Sequence, residues 1–352
     1  METLRAVPKP PHERIVTKDP GGFRDAMARW FSEHGKDYPW RRTRDPYAIL
    51  VSEVMLQQTR IATVLGRGFY TSFLRTFPDV KRLAGADDAV LLKAWEGLGY
   101  YRRARMLRET ARVVLERHGG RFPDERDRLL DLPGVGPYTA GALLAFAFDK
   151  PAVLVDGNVL RVLARIMDFS DPVDAGPGRK RIDTWAAALA DPERPRVYHS
   201  ALMELGQTHC RPGAPDCETC PVSRWCRTRN PAALPVKGRR IGITDVEEHA
   251  VWLRDRRGRV LLHREDGPRR TGLWKLPVRR TDECADLPLR TEHRYSITRY
   301  RVSLKVHQGL AGKIRPRAGE EWVEVEEIRR LAMAAPFRKV LERLLPEIGN
   351  QV

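Results

Sequence analysis

The sequence is short of cysteine, of acid and of long apolar runs, and each shortage excludes something. Of 352 residues only five are cysteine, and four of these crowd into "CRPGAPDCETCPVSRWC", Cys210 to Cys226. No apolar run approaches the ~18 residues that a membrane-spanning helix needs, so no membrane role is expected. The N-terminus, "METLRAVPKPPHERIVTKDP", lacks the charged-then-apolar order of a secretory signal and reads as a basic, Pro-rich tail over residues 1–21. These absences place the chain in the cytoplasm, where disulfides are rare, so the four clustered thiols point to a metal site. Acid is short as well. Asp plus Glu total 46 against 63 Lys plus Arg, a formal charge of +17 and a pI near 10.0. A field of that sign attracts polyanions, with nucleic acid the default partner. Charge alone does not say what the chain does.

Hydrophobic residues make up 42% of the chain, enough for real cores, and the length favours two domains over one. From about Gly22 to Arg229 the texture is helical. "DPYAILVSEVMLQQTRIATVLGRGFYTSFL" and "DDAVLLKAWEGLGYYRRARMLRETARVVLERHGG" carry apolar residues at helical spacing, with Gly or Pro near their ends. "RTRNPAALPVKGRR" follows, basic and Pro-rich with no acid, a linker composition placed at 230–246. Beyond it "HAVWLRD", "GRVLLHRE" and "RYRVSLKVHQG" read as strands, and "PFRKVLERLLPEI" as a closing helix. The expected fold is therefore multi-domain: a mostly α domain at 22–229, a linker, and a smaller α+β domain at 247–346.

Four stretches carry chemistry. Four thiolates in a compact loop can hold zinc or an iron–sulfur cluster, and the gaps of six, two and five residues leave both open. "LPGVGPYTAGALLAFAF" puts Gly134 and Gly136 in a tight turn before an apolar helix, whose first N–H groups can face a DNA phosphate. An ordinary helix–turn–helix corner would look similar. "AVLVDGNVLRVLARI" puts Asp156 at a helix start. There it can cap the helix with one oxygen and face a substrate with the other, oriented by Asn158. "PYAILVSEVMLQQTR" sets Glu53 among Val51, Val54, Met55 and Leu56. A lone helical Glu is usually solvated, but an apolar setting raises its pKa and keeps its proton on. A protonated Glu beside an ionised Asp is what glycosidic cleavage requires: an acid for the leaving group and a carboxylate for an oxocarbenium-like sugar.

These stretches, taken with "PWR" at Pro39, "GLGYYRRAR" at Gly97 and the C-x6-C-x2-C-x5-C cysteines, resemble the helix-hairpin-helix DNA glycosylases that carry an iron–sulfur cluster. Within them the chain is most similar to the MutY-type adenine DNA glycosylases, over residues 22–229 almost without gaps. The resemblance implies a 4Fe–4S cluster on Cys210, Cys217, Cys220 and Cys226, whose loop offers Arg211 and Arg224 to DNA. It implies that Glu53 protonates adenine and then handles water, and that Asp156 stabilises or traps the C1′ cation. Tyr138 and Asn158 would support those carboxylates. Trp40 and Arg41 would line the pocket for extruded adenine, and Gln58 and Tyr100 would wedge into the duplex. The implied partner is double-stranded DNA with adenine opposite 8-oxoguanine or guanine, bound by a monomer. Endonuclease III-type enzymes carry Lys where this chain has Tyr138, so a Schiff-base strand cleavage is not expected. A G·T thymine glycosylase, or a non-catalytic DNA-binding protein with a cluster, are the alternatives. The second of these should have lost Glu53 or Asp156.

"RRTGLWKLPVRR" resembles the G-L-W-x-x-P turn of Nudix-like folds, but no R-E-x-x-E-E metal-binding cluster follows. The resemblance implies an inactive Nudix-like domain that reads 8-oxoguanine. The family's lesion-reading hairpin is written F-S-H. Here it is Tyr295-Ser296-Ile297, with the Ser kept and the His absent. Cys284 is read as a bystander.

Overall fold

The computed structural model describes residues 19–174, 176–238, 242–267, 270–310 and 314–346. Most of the expected tail, and Arg269 of the "RRTGLW" stretch, lie outside these. The described residues form two compact units. One combines 19–53 with 121–238, and the other combines 54–120 with 242–346. No described helix is long and apolar enough to cross a membrane.

The first unit is helical. Its first helix, Pro20–His34, starts inside the expected tail because Asp19 caps it, accepting from the Gly22 N–H at 2.9 Å. The helices Pro137–Phe146 and Pro195–Thr208 also open on proline, where the missing N–H costs nothing. Pro20–His34, Gly157–Ile166, Gly176–Leu189 and Pro195–Thr208 enclose a core of Phe23, Met27, Leu163, Trp185, Leu202 and Trp225. Cys210, Cys220 and Cys226 pack against its edge.

The second unit pairs helices with two sheets. Its strands are β1 (Thr244–Trp252), β2 (Val260–Arg264), β3 (Trp274–Lys275), β4 (Val278–Arg279), β5 (Leu289–Ile297), β6 (Tyr300–Gln308) and β7 (Glu320–Val323). They form sheets of order β4-β1-β6-β5 and β3-β2-β7. β1 begins five residues before the expected strand, inside the expected linker, because its parallel pairing with β6 runs back to Thr244 opposite Tyr300. Residues 54–120 are tied to the C-terminal part of the same unit at specific points. Tyr101 donates to the Met333 carbonyl at 2.7 Å, Arg338 to Glu96 at 2.8 Å, and Arg105 to the Thr271 carbonyl at 2.5 Å.

The two long helical stretches of the sequence are broken. The first gives helices Pro46–Leu56, Ile61–Gly66 and Phe69–Thr76, with left-handed backbone at Gln58 (φ 59°) and Gly68 (φ 63°) between them. The second gives Asp88–Ala94 and Arg102–His118. They are separated by a turn with positive φ at Gly97, Gly99 and Tyr100.

Candidate active site

Three helix segments within the first unit bring Glu53, Tyr138, Asp156 and Asn158 together. Glu53 lies on Pro46–Leu56, where its neighbours Val51, Ser52, Val54 and Met55 are buried. It is itself only 7% exposed. Burial raises its pKa from 4.5 to about 7, and the charge of Asp156 pushes the same way. A hydrogen bond from the Tyr138 hydroxyl partly opposes them. Tyr138, in the first turn of Pro137–Phe146, is raised well above its usual 10 by burial and then by the charges of Glu53 and Asp156. It stays a neutral donor. Near neutral pH the Glu53 carboxyl is therefore present both with and without its proton.

Asp156 caps the helix Gly157–Ile166. Its Oδ1 accepts the N–H groups of Asn158 (2.9 Å) and Val159 (2.7 Å), and its Oδ2 accepts the Asn158 side-chain amide at 2.9 Å. Three donors thus fix one carboxylate. Asn158 is fixed in turn, because its Oδ1 accepts from Arg161 at 2.9 Å. The same guanidinium donates to the carbonyls of Gly206 (2.6 Å) and Cys210 (2.8 Å). Residue 206 has to be glycine. A Cβ there would stand 2.6 Å from the Asn158 Cβ and 3.2 Å from its Cα. Arg161 was not singled out in the sequence. The available signal was its place one helical turn after Asn158, on the same face.

The cysteines are free thiols, with Cys217 exposed and Cys210, Cys220 and Cys226 half-buried. Burial, then mutual repulsion with the neighbouring sulfurs, pushes Cys220 up to about 11 and raises Cys226. The guanidinium of Arg165, a buried residue, donates to the Cys210 Sγ at 3.3 Å and to the Arg211 carbonyl at 2.8 Å. Among the described residues, no three His, Cys, Asp or Glu side chains are arranged to hold a metal ion. The charges of Cys210, Cys226 and Cys217 all bear on the Cys220 thiol.

The other expected residues lie as follows. Trp40 is buried and stacks on Tyr38, with centroids 5.3 Å apart. Arg41 donates to the wholly buried Glu204 (2.7 Å) and to the Lys36 carbonyl (2.7 Å), with its guanidinium over the rings of Phe31 and Tyr38. Much of its donor capacity is therefore spent inside the protein. Gly134 has φ 75° in the turn before Pro137–Phe146, and Gly136 caps that helix. Gln58, Tyr100 and Ser296 belong to the second unit, and all three are exposed. Ser296 pairs with Arg301 near the tip of the β5–β6 hairpin. Its neighbour Tyr295 donates to the Glu248 Oε2 at 2.9 Å and hydrogen-bonds Arg270. Asp282 and Glu283, in the short turn after β4, are held by Arg280 and Arg317.

Residues 51–174 match the HhH-GPD superfamily base excision DNA repair proteins. The adenine DNA glycosylase of Mycobacterium tuberculosis is 40% identical over 216 residues, covering 60% of this chain and 69% of the relative. The mouse adenine DNA glycosylase is 39% identical over 259 residues, covering 71% of this chain and 50% of the relative. The human one is 41% identical over 240 residues, covering 65% and 44%. The chain thus spans about half the length of the mammalian relatives it matches. Among solved structures, a thermostable thymine-DNA glycosylase is 31% identical with a TM-score of 0.54, over 60% of this chain and 96% of that one. An endonuclease III–DNA complex, 24% identical with a TM-score of 0.51 over 60% and 96%, shares the fold.

Proposed function

This chain belongs to the HhH-GPD superfamily of base-excision DNA repair proteins, among the adenine DNA glycosylases, and from that premise we propose that it hydrolyses the N-glycosidic bond of adenine opposite 8-oxoguanine or guanine in duplex DNA. The observation that carries the reading is the Glu53 carboxyl, buried, raised to about 7, held by Tyr138 and adjacent to Asp156.

In this mechanism Glu53 gives its proton to a ring nitrogen of the extruded adenine. The glycosidic bond breaks, and its electron pair leaves with the base. Positive charge grows at C1′ and the ring oxygen, where the Asp156 carboxylate stabilises or traps it. Glu53, now ionised, takes a proton from the water that attacks C1′, leaving an abasic sugar and free adenine. The Tyr138 hydroxyl and the Asn158 amide keep the two carboxylates in register. Tyr138 offers no amine for a Schiff base, so the strand stays intact after base release.

Gln58 and Tyr100, exposed at turn tips, are the duplex wedges. The first turn of Pro137–Phe146 receives a DNA phosphate. Cys210, Cys217, Cys220 and Cys226 fit a 4Fe–4S cluster: the other three sulfurs bear electrostatically on Cys220, three of the four sit against an apolar core, and a guanidinium donates to one sulfur. When bound, such a cluster cross-links the loop 210–226 and needs no part in base chemistry. The hairpin around Ser296 reads the lesion, in a Nudix-like setting that has no free acidic cluster at the turn after β4.

The test is base release from duplexes carrying 8-oxoG·A, G·A and G·T, each with and without hot alkali. Adenine release with alkali-dependent strand breakage supports the reading. Preferential thymine release would replace it with the thymine glycosylase reading that the 31% identical structure keeps in play. Iron and acid-labile sulfide in fresh protein support the cluster, and stoichiometric zinc would overturn it.

A further inference from the structure

Gln58 and Tyr100 share a feature that their exposure does not require: both hold left-handed backbone, at φ 59° and 47°, although neither is glycine. Such a conformation persists in non-glycine residues only where the surroundings enforce it. The two turns belong to different stretches of the second unit, yet a single side chain grips both. Arg103 donates through Nη1 to the carbonyls of Val54 (2.7 Å), Met55 (3.2 Å) and Gln57 (2.5 Å). Through Nη2 it reaches the carbonyls of Leu98 (3.0 Å) and Gly99 (3.3 Å) and the Thr59 hydroxyl (3.5 Å). Gln57 and Gly99 are the residues immediately before Gln58 and Tyr100. The guanidinium also lies over the rings of Trp95 (5.5 Å) and Tyr100 (5.6 Å), and the Trp95 indole N–H donates to the same Gly99 carbonyl at 3.1 Å.

We propose that Arg103 is the positioning residue for both wedges, tying the Gln58 turn and the Tyr100 turn into one rigid blade that enters the duplex. This rests on the wedge reading of Gln58 and Tyr100 above. A planar, pre-organised fork with donors on two nitrogens suits carbonyls of two turns at once better than a single ammonium on a flexible stem. Burial lowers the Arg103 pKa to about 10, which leaves it charged at neutral pH. Its Nε has no hydrogen-bond partner among the described residues, so the grip is made by the two terminal nitrogens.

A loosened blade should hurt base extrusion and spare the later chemistry. Single-turnover adenine release is measured for wild type, Arg103→Lys, Gln58→Ala and Tyr100→Ala on two substrates. One is an 8-oxoG·A duplex, and the other carries the target adenine unpaired in a one-base bulge, where extrusion costs least. Arg103→Lys should slow release from the paired duplex about tenfold or more and change release from the bulge little. Its melting should stay cooperative. If Arg103→Lys does not fold, Arg103→Gln, whose planar amide keeps two donors, takes its place. Equal losses on both substrates, or no loss on either, overturn the proposal. If Gln58→Ala and Tyr100→Ala themselves show no difference between substrates, the wedge reading fails and takes this one with it. If they show it and Arg103→Lys does not, the positioning role alone is wrong.

Discussion

Glu53 and Ser296 stand in opposite surroundings. Glu53 is 7% exposed, walled by apolar neighbours and held by a tyrosine whose own hydroxyl is buried. Ser296 sits on the open end of a hairpin whose two turn residues, Thr298 and Arg299, are exposed, with Thr298 in left-handed backbone at φ 51°. The contrast suits the two tasks proposed for them. A general acid needs the desolvation that keeps its proton on at neutral pH. A reader of DNA needs its polar atoms free until DNA arrives. The first site spends folding stability and the second spends local order. Perturbation should therefore be severe and pH-dependent at Glu53, and graded at Ser296.

The largest effect expected is on the carboxylates. Glu53→Gln has no proton to give, and Asp156→Asn has no charge to set against the cation. Each should lower single-turnover adenine release by at least ~10²-fold with duplex binding retained. Wild-type release should fall as pH rises through about 7, where Glu53 ionises. In Glu53→Gln the residual rate should lose that dependence. Near-normal cleavage by either variant would move the chemistry elsewhere.

The same burial predicts a stability trade. Glu53 has a higher pKa folded than unfolded, about 7 against 4.5. Below 4.5 it is protonated in both states and costs nothing. As pH rises the unfolded chain gives up the proton first, so stability falls, and the loss is complete above about 7. The difference corresponds to about 3 kcal/mol. Glu53→Gln should therefore gain about that much over wild type on denaturant unfolding at pH 8, compared with pH 4. An equal offset at both pH values would show that the carboxyl is not buried as described.

Much of this was legible in the sequence. The strands over "GRVLLHRE" and "RYRVSLKVHQG" lie where the apolar texture puts them. "VDGN" puts a cap, a turn and an orienting amide in four letters. The parts that were not legible share one cause, which is that they depend on backbone groups far away in the chain. Arg161 reads the carbonyls of Gly206 and Cys210, and Arg103 reads those of Val54, Met55 and Gln57. An arginine that serves remote carbonyls leaves no local pattern. The helix breaks at Gln58 and Tyr100 were hidden for the same reason, since neither residue normally announces a left-handed turn. Two-residue strands such as β3 and β4 are too short for any alternation to show.

Gly206 gives an intermediate effect. A methyl group there would collide with the Asn158 Cβ, displacing the amide that holds Asp156 but touching neither carboxylate. Gly206→Ala should slow adenine release about tenfold, the scale of roughly 1–2 kcal/mol of misplaced transition-state contact. The pH at which activity falls should move little, because burial, the main cause of the raised Glu53 pKa, is unchanged. A shifted pH profile would mean that the helix had moved as a body.

The smallest effects belong to the hairpin, and they decide whether it reads the lesion. Relative to F-S-H, the chain keeps the Ser, loses the imidazole and gains a hydroxyl on Tyr295. That hydroxyl is engaged by Glu248 on β1 and by Arg270, so it fixes the strand end and is not free for DNA. In the proposed reading Ser296, small, polar and exposed, meets the 8-oxo edge. Ile297, 37% exposed, can press on the stack but cannot donate a hydrogen bond. One lost specific contact costs ~1–3 kcal/mol, so 8-oxoG·A should be preferred over G·A by less than in F-S-H enzymes. Ser296→Ala should narrow the ratio of single-turnover rates on the two duplexes, and Ile297→His should widen it. Tyr295→Phe, which frees the strand end, should narrow it by less than Ser296→Ala. Removing residues 247–346 as a whole would be a poor substitute for these variants. It would strip Tyr101, Glu96 and Arg105 of their partners and disturb the turn that carries Tyr100. If all three point variants leave the ratio unchanged, the hairpin does not read the lesion, and any preference arises elsewhere in the protein.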